Sequence, residues 1–117
     1  MNRNQLLRLL VSLGIRRLDA EVYLFLTTNG PKKGWDISNE LKINKQKLYR
    51  SLKNLRNNGL VKMSFEHPAL FTAVTIEDTL NSFRDVKLEE AQFIKEKKDE
   101  LLSRWQSMIN NNSSNNI

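Results

Sequence analysis

Hydrophobic side chains recur at helical spacing along the first part of the chain. A first helix is predicted by four leucines at i, i+3, i+4 and i+7, namely Leu6, Leu9, Leu10 and Leu13. Gly14 follows them, and glycine tolerates the left-handed backbone with which helices often end. A second helix is predicted over residues 17–28, and Asn29-Gly30-Pro31 ends it because proline lacks a donor and fixes φ. Its apolar set is Leu18, Val22, Leu24, Phe25 and Leu26.

Two further helices follow, separated by a short turn. Residues 35–41 form the first, with Ile37 and Leu41 at i and i+4. Asn44 suits an N-cap, because its side chain can accept from the first free backbone N–H groups. The next helix is predicted from Lys45 to Asn58. Its buried stripe consists of Leu48, Leu52 and Leu55.

A β-hairpin is predicted directly after this helix pair. Residues 60–65 and 70–74 are the strands, and residues 66–69 are the turn between them. Helix, turn, helix and hairpin in this order predict a winged helix-turn-helix. The fold class is therefore mostly α with a small β-hairpin, and we assign residues 1–76 to this domain.

The pattern changes beyond residue 76. Residues 77–109 contain no glycine or proline and predict one long helix. Lys87 and Lys98 interrupt its apolar stripe, so the heptads are imperfect. Such a helix must bury its stripe, either against the domain or against a second copy, and we favour a homodimer. Residues 110–117 are rich in Asn and Ser and are predicted to be disordered. The predicted dimerisation stripe is Leu80, Phe83, Ala91, Ile94, Leu101, Trp105 and Met108.

Charge is distributed unevenly along the chain. Residues 1–76 hold 13 Lys and Arg against 5 Asp and Glu, a balance of +8, whereas residues 77–117 hold 6 against 8, a balance of −2. A basic module favours a polyanion such as nucleic acid, but a solvated basic surface without a partner fits the charge equally well.

Composition argues against several classes of function. One histidine and no cysteine leave little from which to build a metal site or a Cys/His nucleophile. We therefore predict no enzyme, no catalytic residue, no metal ligand, no cofactor and no small-molecule ligand. No apolar run approaches the roughly 18 residues of a membrane span. The first four residues show no secretion signal, so we expect a cytoplasmic protein without a membrane contact.

The exposed face of the helix Lys45–Asn58 carries the candidate function. Opposite its leucines lie two cations and two amides without any carboxylate, namely Gln46, Arg50, Lys53 and Asn57. Arg can bridge guanine acceptors in the major groove, and Gln can pair with adenine, so Gln46 and Arg50 are the predicted base contacts. A solvated amphipathic helix is the alternative. The predicted phosphate contacts are Lys45, Lys47 and Lys53, and Tyr49 is predicted to stack on sugar or donate to a phosphate.

Further candidates flank this helix. Lys32, Lys33 and Trp35 open the preceding helix and are predicted to clamp the DNA backbone, although Trp35 fits core packing equally well. His67 in the turn of the hairpin is a weaker candidate for a minor-groove contact.

Several segments together resemble the N-terminal domain of TrmB-type archaeal transcription regulators, over about residues 9–80. They are Leu13-Gly14-Ile15, Ala20-Glu21-Val22-Tyr23-Leu24, Lys47-Leu48-Tyr49 with Leu52 and Leu55, and Gly59-Leu60-Val61. The resemblance implies a winged-helix DNA binder that is generally dimeric. It also implies that Lys45, Lys47 and Tyr49 occupy positions the family keeps, whereas Arg50 stands where its members vary.

Three departures limit what the resemblance implies. Residues 68–72 carry no cation where family wings are often basic, and Arg16 stands where the family has a threonine cap. No region of these 117 residues corresponds to the sugar-binding effector domain of larger members, so sugar sensing is not expected.

The sequence pattern and the family resemblance together predict a homodimeric, sequence-specific transcription regulator that binds double-stranded DNA. Two-fold half-sites are expected about 10 bp apart, or a multiple of that. Two alternatives remain at this stage. One is a winged-helix module for protein interaction, and the other is a nonspecific architectural DNA-binding protein.

Overall fold

The computed structural model describes residues 1–115 and, for side chains, residues 1–112. Contacts divide the chain into two units, the first of which is Met1–Leu80 and the second of which begins at Asn81. The elements in chain order are α1 (Arg3–Ser12), α2 (Arg17–Asn29), β1 (Lys32–Lys33), α3 (Gly34–Leu41), α4 (Lys45–Asn57), β2 (Val61–Met63), β3 (Leu70–Ala73) and α5 (Ile76–Asn115).

Local sequence explains how α1 begins and ends. The Asn2 side chain accepts from the backbone N–H of Gln5, and the Gln5 side chain accepts from the backbone N–H of Asn2, both at 2.9 Å. This reciprocal pair is a capping box. Gly14 has a φ of 103°, which a side chain would strain, so the predicted stop is confirmed. The buried face is turned slightly from the predicted one, because Leu7 joins Leu10 in the core.

The core of the first unit is built around α2 and α4. Tyr23 is the largest side chain with no exposed surface, and the leucine stripe predicted for α4 is confirmed at 0–1% exposure. Each such aliphatic side chain stabilises the fold by about 1.5–3 kcal/mol. The buried apolar residues are Leu7, Leu10, Ile15, Ala20, Val22, Tyr23, Leu24, Leu26, Ile37, Leu48, Leu52, Leu55, Leu60, Val61 and Phe71.

The sheet has one strand more than the sequence predicted. Its order is β1-β3-β2, with both neighbours antiparallel to β3. Lys32 and Lys33 pair with Phe71 and Leu70, so they form a strand and do not open the helix, which begins at Gly34. A two-residue strand is too short to show alternation, and this is why periodicity missed it.

A buried tyrosine ties α2 to the start of α5. The Tyr23 hydroxyl donates to the carbonyl of Val74 at 2.7 Å and shares a hydrogen bond of 2.9 Å with Thr79. Burial raises the pKa of Tyr23 above its ordinary value, and the bond to Thr79 opposes this shift. Thr79 lies within the first unit, which extends to Leu80.

Helix α5 has 40 residues and is therefore about 60 Å long. Every described side chain of the second unit is exposed except that of Phe83, which is half-buried. Disorder was predicted from residue 110, but the helix continues to Asn115. Asn and Ser lower helix propensity without breaking a helix. Residues 116–117 of that predicted tail lie outside the described residues. No described helix is long and apolar enough to cross a membrane.

Candidate nucleic-acid interface

Helix α4 is fixed at its start and along its buried side. The backbone N–H of Lys47 donates to the Asn44 side chain at 2.9 Å, which confirms the predicted N-cap. Leu48, Leu52 and Leu55 lock one face into the core. The helix therefore presents its opposite face in one orientation, and a site that recognises a ligand needs such rigidity.

The presented face contains all four residues singled out from the sequence. Gln46, Arg50, Lys53 and Asn57 are exposed, as are Lys45 and Lys47 beside them. No ion pair within residues 1–115 involves Arg50 or Lys53. The face thus offers two cations and two amides to solvent with no carboxylate competing for them.

The side of α4 that faces α2 contains a buried polar contact that sequence reasoning missed. The Ser51 hydroxyl donates to Oδ1 of Asp19 at 2.5 Å, and the two residues are 2% and 7% exposed. The bond fixes α4 to the first turn of α2. One feature of the sequence pointed to it, since Ser51 falls beside Leu55 at the edge of the leucine stripe of α4 on a helical wheel.

The other side of α4 meets α3 and the sheet through Tyr49. The Tyr49 ring packs edge to face on Phe71, with centroids 6.1 Å apart, and its hydroxyl lies against Gly34. A Cβ on Gly34 would lie 2.8 Å from Cζ of Tyr49, so a side chain at this position would require the Tyr49 ring to move. Tyr49 is 43% exposed. It therefore holds α4 on α3 while part of its ring remains available to a ligand.

The predicted backbone clamps lie next to that contact. Trp35 follows Gly34 and is 72% exposed, so the alternative of core packing is wrong. Lys33 precedes Gly34 and is exposed, whereas Lys32 is half-buried in β1. The close contact between Gly34 and Tyr49 places Lys33 and Trp35 beside the edge of α4.

The wing is the loop of residues 64–69 between β2 and β3. Its ends are closed by two hydrogen bonds of 2.9 Å between Ser64 and Leu70. Phe65 is fully exposed at its tip, and Glu66 and His67 are exposed beside it. The loop contains no Lys or Arg, so it offers no cation to a phosphate.

Comparison with known proteins agrees with this fold. The family described as "Sugar-specific transcriptional regulator TrmB" matches residues 9–77. A possible transcriptional regulator from Methanosarcina mazei is 14% identical, with a TM-score of 0.64, over 77% of this chain and 82% of that one. A transcriptional regulator from Thermotoga maritima is 17% identical, with a TM-score of 0.54, over 92% of this chain and 83% of that one.

No curated protein matches the chain. Within the described residues, no group of three or more His, Asp or Glu side chains is placed to hold a metal ion. These two proteins share the fold, and one is described as a possible transcriptional regulator and the other as a transcriptional regulator. Because the family match covers more than half of its length, the chain belongs to the TrmB family and is a DNA-binding transcription regulator.

Proposed function

We propose that this regulator binds DNA in a sequence-specific manner, as a homodimer, with α4 in the major groove. The observation that carries the proposal is the acid-free exposed face of α4 on a helix fixed on both flanks. An α-helix fits the major groove, where each base pair presents its own pattern of donors and acceptors. A helix face that combines cations with amides can therefore form specific hydrogen bonds to bases in this groove.

The residues of α4 divide by their position along the helix. Gln46 and Arg50 lie in its first two turns, which usually reach base edges, and they are the proposed base contacts. Lys45, Lys47 and Lys53 are the proposed phosphate contacts, which give affinity but little sequence information. Lys33 and Trp35, which are exposed, are the further proposed contacts to the DNA backbone.

The proposal is tested by measuring affinity as a function of salt on two duplexes, one selected from a random pool and one with the same composition in scrambled order. We expect tighter binding to the selected duplex and a steep loss of affinity with salt on both, since each neutralised phosphate contributes about 0.9 to the slope. Equal binding to both duplexes would favour an architectural protein. No binding to either at low salt would favour a protein-interaction module.

The proposed dimer contact is the apolar side of α5. Ile94, Leu101, Trp105 and Met108 are all more than half exposed, although burial of each would contribute about 1.5–3 kcal/mol. They lie with Ala91 on one face of the helix, and one long helix gives a second copy a continuous surface to pair with. Dimerisation would present two α4 helices to two-fold half-sites about 10 bp apart, or a multiple of that.

A pair of neighbouring substitutions tests this contact. Ile94 lies on the proposed stripe and is 59% exposed, whereas Phe93 lies off the stripe and is 58% exposed. Light scattering should give a dimer mass for the unaltered chain and for Phe93→Glu, but a monomer mass for Ile94→Glu. A monomeric unaltered chain, or two variants that behave alike, would refute the stripe.

A further inference from the structure

A cleft of about 300 Å³ lies between the start of α2 and the middle of α4. Its floor is the hydrogen-bonded pair of Asp19 and Ser51, both buried. The rest of its lining consists of one apolar side chain, Leu18, and four cationic or amide side chains, namely Arg16, Lys47, Arg50 and Asn54. The cleft therefore adjoins the face of α4 proposed to enter the major groove, on the side away from the wing.

Positive charge in this cleft is left uncompensated. Arg16, Lys47 and Arg50 enter no ion pair within residues 1–115, and the single lining carboxylate, Asp19, is 7% exposed and accepts from Ser51. The neighbouring Arg17 differs, because its guanidinium lies 3.4 Å from Glu21. Three cations against one buried carboxylate leave an excess of positive charge, and a concave wall concentrates the field of such charges.

The Arg16 side chain is free to serve a ligand. Arg16 is the N-cap residue of α2 but makes no side-chain hydrogen bond to that helix end, and it is exposed. A guanidinium can bind two phosphate oxygens at once, and Lys47 supplies a second charge from the opposite wall. The Asn54 amide can donate a further hydrogen bond.

We propose that this cleft seats a phosphate of the DNA backbone, on the strand that borders the major groove along the α2 side of α4. The inference rests on the proposed function and extends it by assigning a role to Arg16. The opposite flank of α4 is occupied by Tyr49, which packs on Phe71 and Gly34, and the wing offers no cation. The cleft thus takes over the phosphate contact that the wing lacks.

Adjacent arginines provide the test. Arg16→Gln removes the cleft charge and keeps a donor, whereas Arg17→Gln removes the same charge from a residue paired with Glu21. On the selected duplex, Arg16→Gln should weaken binding by about three- to tenfold per subunit and lower the salt slope by about 0.9 per subunit, and Arg17→Gln should change both less. Equal effects of the two substitutions, or an unchanged slope for Arg16→Gln, would overturn the proposal.

Two further arms separate the causes of a negative result. If the unaltered chain fails to bind DNA at low salt, the proposed function itself fails. A different result would show that the cleft binds free phosphate and that the assignment to the DNA backbone is wrong. In that case the unaltered chain and Arg16→Gln would bind DNA equally well, and inorganic phosphate would raise the Tm of the unaltered chain but not that of Arg16→Gln. Melting temperatures of both variants should equal that of the unaltered chain without phosphate, since neither residue is buried.

Discussion

Helix α4 and the wing are the two parts of a winged helix that usually meet DNA, and they are built very differently in this protein. Helix α4 is capped by Asn44, carries three buried leucines, and is fixed on one flank by Ser51 and on the other by Tyr49. The wing is closed by two hydrogen bonds, and its tip residue Phe65 is fully exposed.

The side chains that helix α4 and the wing expose to solvent also differ in charge and polarity. Cations and amides lie on the rigid helix, whereas the wing offers an acid, a histidine and an apolar tip. Recognition of a particular sequence needs donors held in place before binding, because ordering them on contact costs free energy. We infer that DNA contact in this protein is concentrated on α4 and its flanks.

The two regions should differ most in how much a substitution lowers the free energy of unfolding. Leu52→Ala should lower the free energy of unfolding by about 2–5 kcal/mol, because Leu52 is 1% exposed and its removal leaves a cavity. Phe65→Ala in the wing should change it by less than about 0.5 kcal/mol. Urea denaturation measures both. A large loss for Phe65→Ala would show that the wing tip is packed and would break the contrast.

A pair of serines offers a finer comparison. Ser51→Ala should cost about 1–3 kcal/mol, because it leaves the buried Asp19 carboxylate without its donor. Ser64→Ala in the wing removes an acceptor from the Leu70 N–H but should cost less, since Ser64 is only half-buried. Thermal unfolding of the two variants gives the order, and a greater loss for Ser64→Ala would contradict it.

The smallest expected effect comes from adding the cation that the wing lacks. Glu66→Lys should strengthen DNA binding by about 1 kcal/mol or less per subunit and increase the salt slope by about 0.9 per subunit, because the new cation would neutralise a phosphate near the wing. Glu89→Lys on α5 makes the same change in net charge away from the winged helix and is the control. Equal slopes for the two variants would mean that the wing stays away from the backbone.

Sequence reasoning predicted α4 well because its features are local. The Asn44 cap, the leucine spacing and the opposite polar face each depend on residues within four positions of one another, and the structure confirms the cap and the buried leucines. The order of helix, turn, helix and hairpin was enough to predict the winged helix for the same reason.

The features that could not be predicted from the sequence depend on residues far apart along the chain. Strand β1 exists only because Lys32 and Lys33 meet β3, some forty residues later. The bond between Asp19 and Ser51 joins two helices, and a serine at the edge of a leucine stripe does not show which residue it will bond to. The cleft forms where α2 packs against α4, so its lining residues could not be predicted from the sequence of either helix alone.

The claim that α4 reads sequence is tested most directly by the base preference of an arginine variant. Each base pair of a selected duplex is substituted in turn, and the affinity is measured for the unaltered chain, for Arg50→Ala and for Arg56→Ala, an exposed arginine on the sheet side of α4. Arg50→Ala should lose about 1–3 kcal/mol of discrimination at one position of each half-site, while Arg56→Ala keeps the profile. Identical profiles for all three proteins would contradict the account.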